Sequence, residues 1–179
     1  MTVAAKSLPR YTVDDYARWE GNWELWQGHP ISISPSPFGH HQAIVMKLAR
    51  KIGDSIDSQN CQSTVLADID WIVSEDTVVS PDLVVLCGGV PEKQVESPPA
   101  LINEVTSPST RLNEVGFKRT LYQTHRVKHY IIVDQQRSAI EVMQCKEDGK
   151  YTERPATDML KITLCNHCNI TLDLKNIFQ

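Results

Sequence analysis

SPDLVVLCGGVPEKQVESPPALINEVTSPSTRLNEVGFK, residues 80–118, decides how the rest of the chain is read. It holds two apolar runs, each with an acid at its edge. Pro81-Asp82 opens Leu83-Val84-Val85-Leu86, and Glu104 interrupts Ala100-Leu101-Ile102-Asn103-Glu104-Val105. Short continuous runs of Val, Leu and Ile predict strands covered on both faces. A carboxylate set into such a strand is costly to desolvate and needs a partner. A divalent cation satisfies two of them at once. Lys118 follows on a segment of helical character, after the capping and breaking residues Thr106-Ser107-Pro108-Ser109-Thr110.

Upstream of this stretch, residues 1–10 read as a loose arm. Thr12 with Asp15 three residues later forms a capping-box pattern, which predicts a short helix through about Trp19. Trp23-Glu24-Leu25-Trp26-Gln27 and Ile31-Ser32-Ile33-Ser34 alternate in period two around Gly28-His29-Pro30, as a hairpin does. From His40 the period changes. Ile44, Val45, Leu48, Ile52 and Ile56 recur at helical spacing and predict about four turns. Ser63 to Val73 is β-rich, with a bend near Asp68-Ile69-Asp70.

Downstream, a helix is expected to end before Val127. Tyr130–Asp134 and Ala139–Met143 form a second hairpin, and the tail holds weaker short strands with a final turn at Leu174–Phe178. The order of elements predicts an α/β (α+β) chain, a mixed central β-sheet flanked by helices. No linker or repeat divides it, so residues 11–179 are expected to fold as a single domain.

Composition narrows the classes. The 179 residues are 41% hydrophobic and 22% charged, which suits a folded chain with one good core. The net charge of -4 is not that of a protein that holds nucleic acid by charge alone. It does not exclude a nuclease, because acidic metal sites lower the net charge and their ions restore the local field. The N-terminus lacks a signal-peptide core and no window approaches a membrane span, so a cytoplasmic protein is expected. The five cysteines, at 61, 87, 145, 165 and 168, are then expected to be reduced. Cys165-Asn166-His167-Cys168 resembles half a zinc site with no second pair in view, and an inert reduced pair is the preferred reading.

Asp82, Glu104 and Lys118 are the residue types that phosphodiester hydrolysis uses. Two carboxylates on neighbouring strands hold one or two Mg²⁺ (or Mn²⁺) ions, and a backbone carbonyl, that of Val105, completes the set. An ammonium beside the attacking water stabilises the charge it develops.

These runs, together with WELWQG, SPSPFGHHQAI, GFKRTLY and VKHYIIVD, resemble the bacterial Uma-two family, restriction-endonuclease-like proteins of the PD-(D/E)XK nuclease superfamily. The resemblance spans about Tyr11 to Val142. It implies a restriction-endonuclease-like core and Mg²⁺-dependent cleavage of DNA. It also implies that Asp82 is the central metal-binding Asp and Glu104 the acid of the second motif. The superfamily's Lys, usually two residues after that acid, is replaced by Thr106 and is implied to have moved to Lys118. Glu24 matches the family's early acid and His41 its helix-opening His. Glu114 stands where the family commonly has Asp, and Arg126-Val127-Lys128-His129 departs from its common Gly-Val-Pro-Glu.

Plainer readings stay open beside this one. Asp82 suits a turn acid, Glu24 an edge-strand surface acid and His41 a helix cap. Lys118 with Glu114 suits an i,i+4 surface pair. Lys47, Arg50, Lys51, Arg111 and Arg119 suit solvated helix faces as well as a phosphate-facing surface. The alternative function is a catalytically silent binding or interaction module on the same fold. A homodimer is expected of a duplex-cutting enzyme, with the Trp23–Trp26 strand offering exposed aromatic surface.

Overall fold

A computed structural model describes residues 8–33, 39–106, 111–156 and 158–179, without the side chains of residues 111–115, 155 and 166. The short helix α1 (Val13–Tyr16) starts at Thr12, whose capping box with Asp15 is formed in both directions. Strands β1 (Trp23–Trp26) and β2 (His29–Ser32) make the expected hairpin, turning at Gln27-Gly28. Both turn residues have positive φ, and glycine takes up 82° there without strain. Arg10, at the end of the expected arm, reaches Gln27 O and the Asp76 carboxylate.

Helix α2 (Gly39–Ser58) is longer than the four turns expected, and it buries His41, Ile44, Val45, Leu48, Ile52 and Ile56 along one stripe. The segment after it bends as expected, with Asp68 at φ 53°. The bend separates β3 (Ser63–Ala67) from β4 (Trp71–Ser74). Strand β5 (Thr77–Val79), which sequence periodicity did not separate from its neighbours, joins β4, β1 and β2 in a four-stranded sheet ordered β2-β1-β5-β4.

The main sheet has six strands, ordered β10-β9-β8-β7-β6-β3. It contains β6 (Leu83–Cys87), β7 (Leu101–Thr106), β8 (His129–Asp134), β9 (Ala139–Cys145) and β10 (Tyr151–Pro155). Only β7 and β8 run parallel, and helix α3 (Arg111–Thr124) is the crossover between them. The sheet is therefore mixed, as expected. Period-two alternation divides its residues between two cores. Leu83, Val85, Leu101, Ile131 and Val133 face α2 and the hairpin of β11 (Met159–Thr163) and β12 (Asn169–Asp173). Val84, Ile102, Tyr130 and Ile132 pack with Trp71, Tyr122 and Met143 on the other face. Fully burying side chains of this size contributes roughly 1.5–3 kcal/mol each.

Two sequence expectations fail here. Cys61 is bonded to Cys168 and Cys87 to Cys165, so four of the five cysteines are paired in this structure, not reduced. They are far apart in sequence, by 107 and 78 residues, and only the docking of the β11–β12 hairpin brings them together. The Trp23–Trp26 strand is also not an exposed aromatic surface. Glu24 and Leu25 are buried, Trp26 stacks on Phe117 at 4.2 Å, and Trp23 lies edge-on to Trp19. No helix among the described residues is long and apolar enough to cross a membrane.

Candidate active site

Antiparallel pairing of β6 with β7 matches Leu83 to Asn103, which makes Asp82 and Glu104 the next facing positions outward. The Val105 N–H donates to Asp82 Oδ2 at 2.7 Å and fixes the two strands at this point. On its other oxygen, Asp82 Oδ1 lies 3.2 Å from His41 Nε2, at the start of α2. That contact raises the His41 pKa through the hydrogen bond to Asp82, against the opposing effect of burial. His41 is thus tied to the proposed metal acid rather than acting as a helix cap.

Glu104 points to the face covered by α3. Its Oε1 lies 3.0 Å from Lys118 Nζ and accepts from the Tyr122 hydroxyl at 2.7 Å. The Lys118 ammonium is also 2.9 Å from Glu24 Oε1. Glu24 is fixed in turn by the Ser80 N–H at 2.8 Å and by Trp26 Nε1–H at 2.6 Å. Glu24 is 2% exposed and Lys118 5%, so neither suits a surface acid or a surface pair. Strand β1 is flanked by β2 and β5, which is why Glu24 is not at an edge. The side chain of Glu114 lies outside the described residues.

Charge inside this cluster is unbalanced. Burial, followed by the nearby Asp82 and Glu24 carboxylates, pushes Glu104 up to about 7 despite the opposing Lys118 ammonium. Lys118 is held well above its ordinary value. Burial pulls it down, but Glu104 and Glu24 outweigh that effect. Burial and then Glu104 raise the Tyr122 hydroxyl, keeping it a proton donor.

Sequence reasoning passed over Tyr122, Trp26 and Ser80. Tyr122 was detectable as the i+4 neighbour of Lys118, and Trp26 as the i+2 neighbour of Glu24 on one strand face. The Ser80 N–H contact depends on β5 running beside β1, which no local pattern predicts. Among the basic residues, Lys47 donates to Asn176 O and Gln179 O. The side chain of Arg111 is not among those described.

The profile of the Uma2 (Uma-two) family, described as "Putative restriction endonuclease", matches residues 13–175. The chain belongs to the Uma2 family. A similar solved structure is the crystal structure of a "putative nuclease belonging to DUF820" from Anabaena variabilis. It is 16% identical, with a TM-score of 0.74, over 94% of this chain and 97% of that one. At that identity the likeness shows the fold, and the mixed sheet with flanking helices is common to both. Among curated proteins none matches the chain.

For a Uma2 protein the donor set can be tested against a hard divalent cation. Asp82 and Glu104 offer carboxylate oxygens at facing positions, and the side chain of Asp82 keeps 23% of its surface open. Burial is the main cause of the raised Glu104 pKa, with Asp82 and Glu24 adding to it against Lys118. The described residues contain no group of three His, Cys, Asp or Glu side chains placed to hold a metal.

A pH dependence follows from Glu104. Its pKa is higher in the folded protein than its ordinary 4.5, so the native state binds more protons than the unfolded state between about 4.5 and 7. Its stabilising contribution is complete below that window and lost as pH rises through about 7. In metal-free buffer, the melting temperature of wild type minus that of Glu104→Gln is expected to fall across this range. A difference that stays flat with pH by differential scanning calorimetry would contradict the raised pKa.

Proposed function

We propose that this Uma2 protein is a Mg²⁺-dependent phosphodiester hydrolase acting on DNA, with Asp82, Glu104 and Lys118 as its catalytic set. The observation that carries the proposal is the facing pair Asp82 and Glu104 with the Lys118 ammonium 3.0 Å from Glu104. Asp82, Glu104 and the Val105 carbonyl would hold the ion. When bound, Mg²⁺ neutralises charge on the phosphate and acidifies a water.

The residues around the two acids then have definite tasks. Lys118, always protonated, stabilises negative charge developing on the attacking oxygen. Glu24 holds the ammonium beside Glu104 and is itself fixed by Ser80 and Trp26. Tyr122 fixes Glu104, and His41 orients Asp82 through its Oδ1.

The ion pairs of Lys118 with both Glu24 and Glu104 also favour a second reading, a nuclease-fold module in which the lysine closes the acidic cluster and no hydrolysis takes place. Cleavage of supercoiled plasmid in Mg²⁺ or Mn²⁺, stopped by chelator and by Glu104→Gln, is the result expected of an enzyme. Intact plasmid, with no heat on titrating Mn²⁺, supports the silent module. A parallel assay on RNA and on single-stranded DNA tests the substrate.

A further inference from the structure

We infer that the Cys61–Cys168 and Cys87–Cys165 bridges form a redox latch on the β11–β12 hairpin. Closed, they hold the hairpin tip on the core. Opened by a dithiol reductant, they free the hairpin while the main sheet stays folded. The latch itself is independent of the proposed hydrolase, and only its effect on cleavage rests on that reading.

Among the described strands, β11 and β12 pair with each other and with no third. A lone two-stranded hairpin is marginal in water, so this one depends on what covers its inner face. Leu160, Ile162, Ile170 and Leu172 alternate with outward-facing residues and enter the core that α2 lines. Its polar ties to the rest of the fold run through side chains. The Thr171 N–H donates to Ser55 Oγ at 3.1 Å, and Lys161 O accepts from Arg154 Nη2 at 2.7 Å. Thr163 O lies 3.0 Å from His129 Nε2.

Both bridges act at one end of this unit. Cys165 and Cys168 lie in the turn between its strands, on the short 3₁₀ segment Cys165–His167 and directly after it. Their partners belong to the core. Cys61 follows α2, and its N–H donates to Ile56 O at 3.1 Å in the last turn of that helix. Cys87 ends β6. The bridges span 107 and 78 residues, and cross-links over long spans restrict the opened chain most. Without them the tip is held by side-chain packing alone.

Cys87 is exposed and Cys61 and Cys165 are half-buried, whereas Cys168 is buried. An incoming thiolate therefore reaches Cys87–Cys165 first. In each opening, one thiolate of the dithiol attacks a bridge sulfur and displaces the other as a protein thiol. The second thiol of the reductant then displaces the attacked sulfur from the mixed disulfide. Each bridge takes up two electrons and two protons, and each dithiol leaves as a cyclic disulfide.

The latch reaches the proposed site through α2. Strand β12 packs on this helix, and the first turn of α2 carries His41 onto Asp82 Oδ1. An undocked hairpin uncovers the α2 stripe and loosens the helix that sets His41. The open form is therefore expected to cleave more slowly.

The test treats the oxidised full chain with increasing dithiothreitol, counts thiols by alkylation and mass spectrometry, and follows amide hydrogen exchange by segment. Cys87 and Cys165 are expected to alkylate at lower dithiothreitol than Cys61 and Cys168. With both bridges open, exchange in β11 and β12 should accelerate on the order of tenfold or more while β7 and β8 stay protected. Reoxidation should restore the slow exchange. Cys145→Ser should behave as wild type, because Cys145 is free. Joint replacement of the four bridged cysteines by alanine should show the fast exchange without reductant, and where that variant fails to fold the wild-type titration decides.

Bridges that resist reduction in the folded protein would overturn the latch. So would hairpin exchange that reduction leaves unchanged, or protection lost throughout the main sheet. Plasmid cleavage by the two forms, compared after the dithiol is removed without air, tests the link to the site. Equal rates overturn that link. No cleavage by either form counts against the hydrolase, while hydrogen exchange still decides the latch.

Discussion

Lys118→Met is expected to abolish hydrolysis and to destabilise the protein strongly, and the two losses separate experimentally. Lys118 lies between Glu24 and Glu104 and is 5% exposed. Removing one member of a buried ion pair leaves uncompensated charge and costs about 3–5 kcal/mol. Against a typical domain stability of about 5–15 kcal/mol, that is a large share. A surface pair with Glu114 would have lost only a few tenths of a kcal/mol. Adding Glu24→Gln to Lys118→Met removes one of the two stranded charges and should restore much of the melting temperature. It should not restore plasmid cleavage, because the ammonium is still missing. A double variant that is folded and cleaves like wild type would remove Lys118 from the catalytic set.

Asp82→Asn is expected to lose divalent-metal binding and cleavage while keeping the fold. Its amide oxygen can still accept from the Val105 N–H, which lies 2.7 Å from Asp82 Oδ2. Asp82→Ala differs. Relief of like-charge repulsion alone predicts a variant at least as stable as wild type. The structure reverses that expectation. Alanine leaves the Val105 N–H without its acceptor and His41 without its partner, at a cost of about 1–3 kcal/mol. Calorimetric titration with Mn²⁺ and thermal melts on both variants check this. Undiminished Mn²⁺ binding by Asp82→Asn would exclude Asp82 as a ligand. Equal melting temperatures for the alanine and asparagine variants would mean that the Val105 bond contributes nothing.

Much of this protein was legible along the chain because its signals are local. The capping box at Thr12 and Asp15, the α2 stripe from Ile44 to Ile56 and the apolar β6 and β7 runs all formed where periodicity places them. The adjacency of β6 and β7, each with an acid at or beside its end, was readable from two neighbouring apolar runs. Less local features misled. Glu24 between two tryptophans suits an edge, yet β5 pairs on its far side and buries it. The cysteines looked unconnected because their partners are 107 and 78 residues away.

The sequence by itself determined the two strands, the two acids and the helical lysine, because hydrophobic period and the cost of a buried carboxylate act over a few residues. Only the tertiary structure decided that these groups meet. Lys118 lies along a helix that, read alone, carries it away from the acids. The crossover from β7 to β8 runs α3 back over the face on which Glu104 stands, and this places the ammonium 3.0 Å from it. The same docking of distant segments brings Glu24 to that ammonium and gathers four cysteines at one turn. Such contacts come from burying two sheet faces at once, and no window of sequence contains that information.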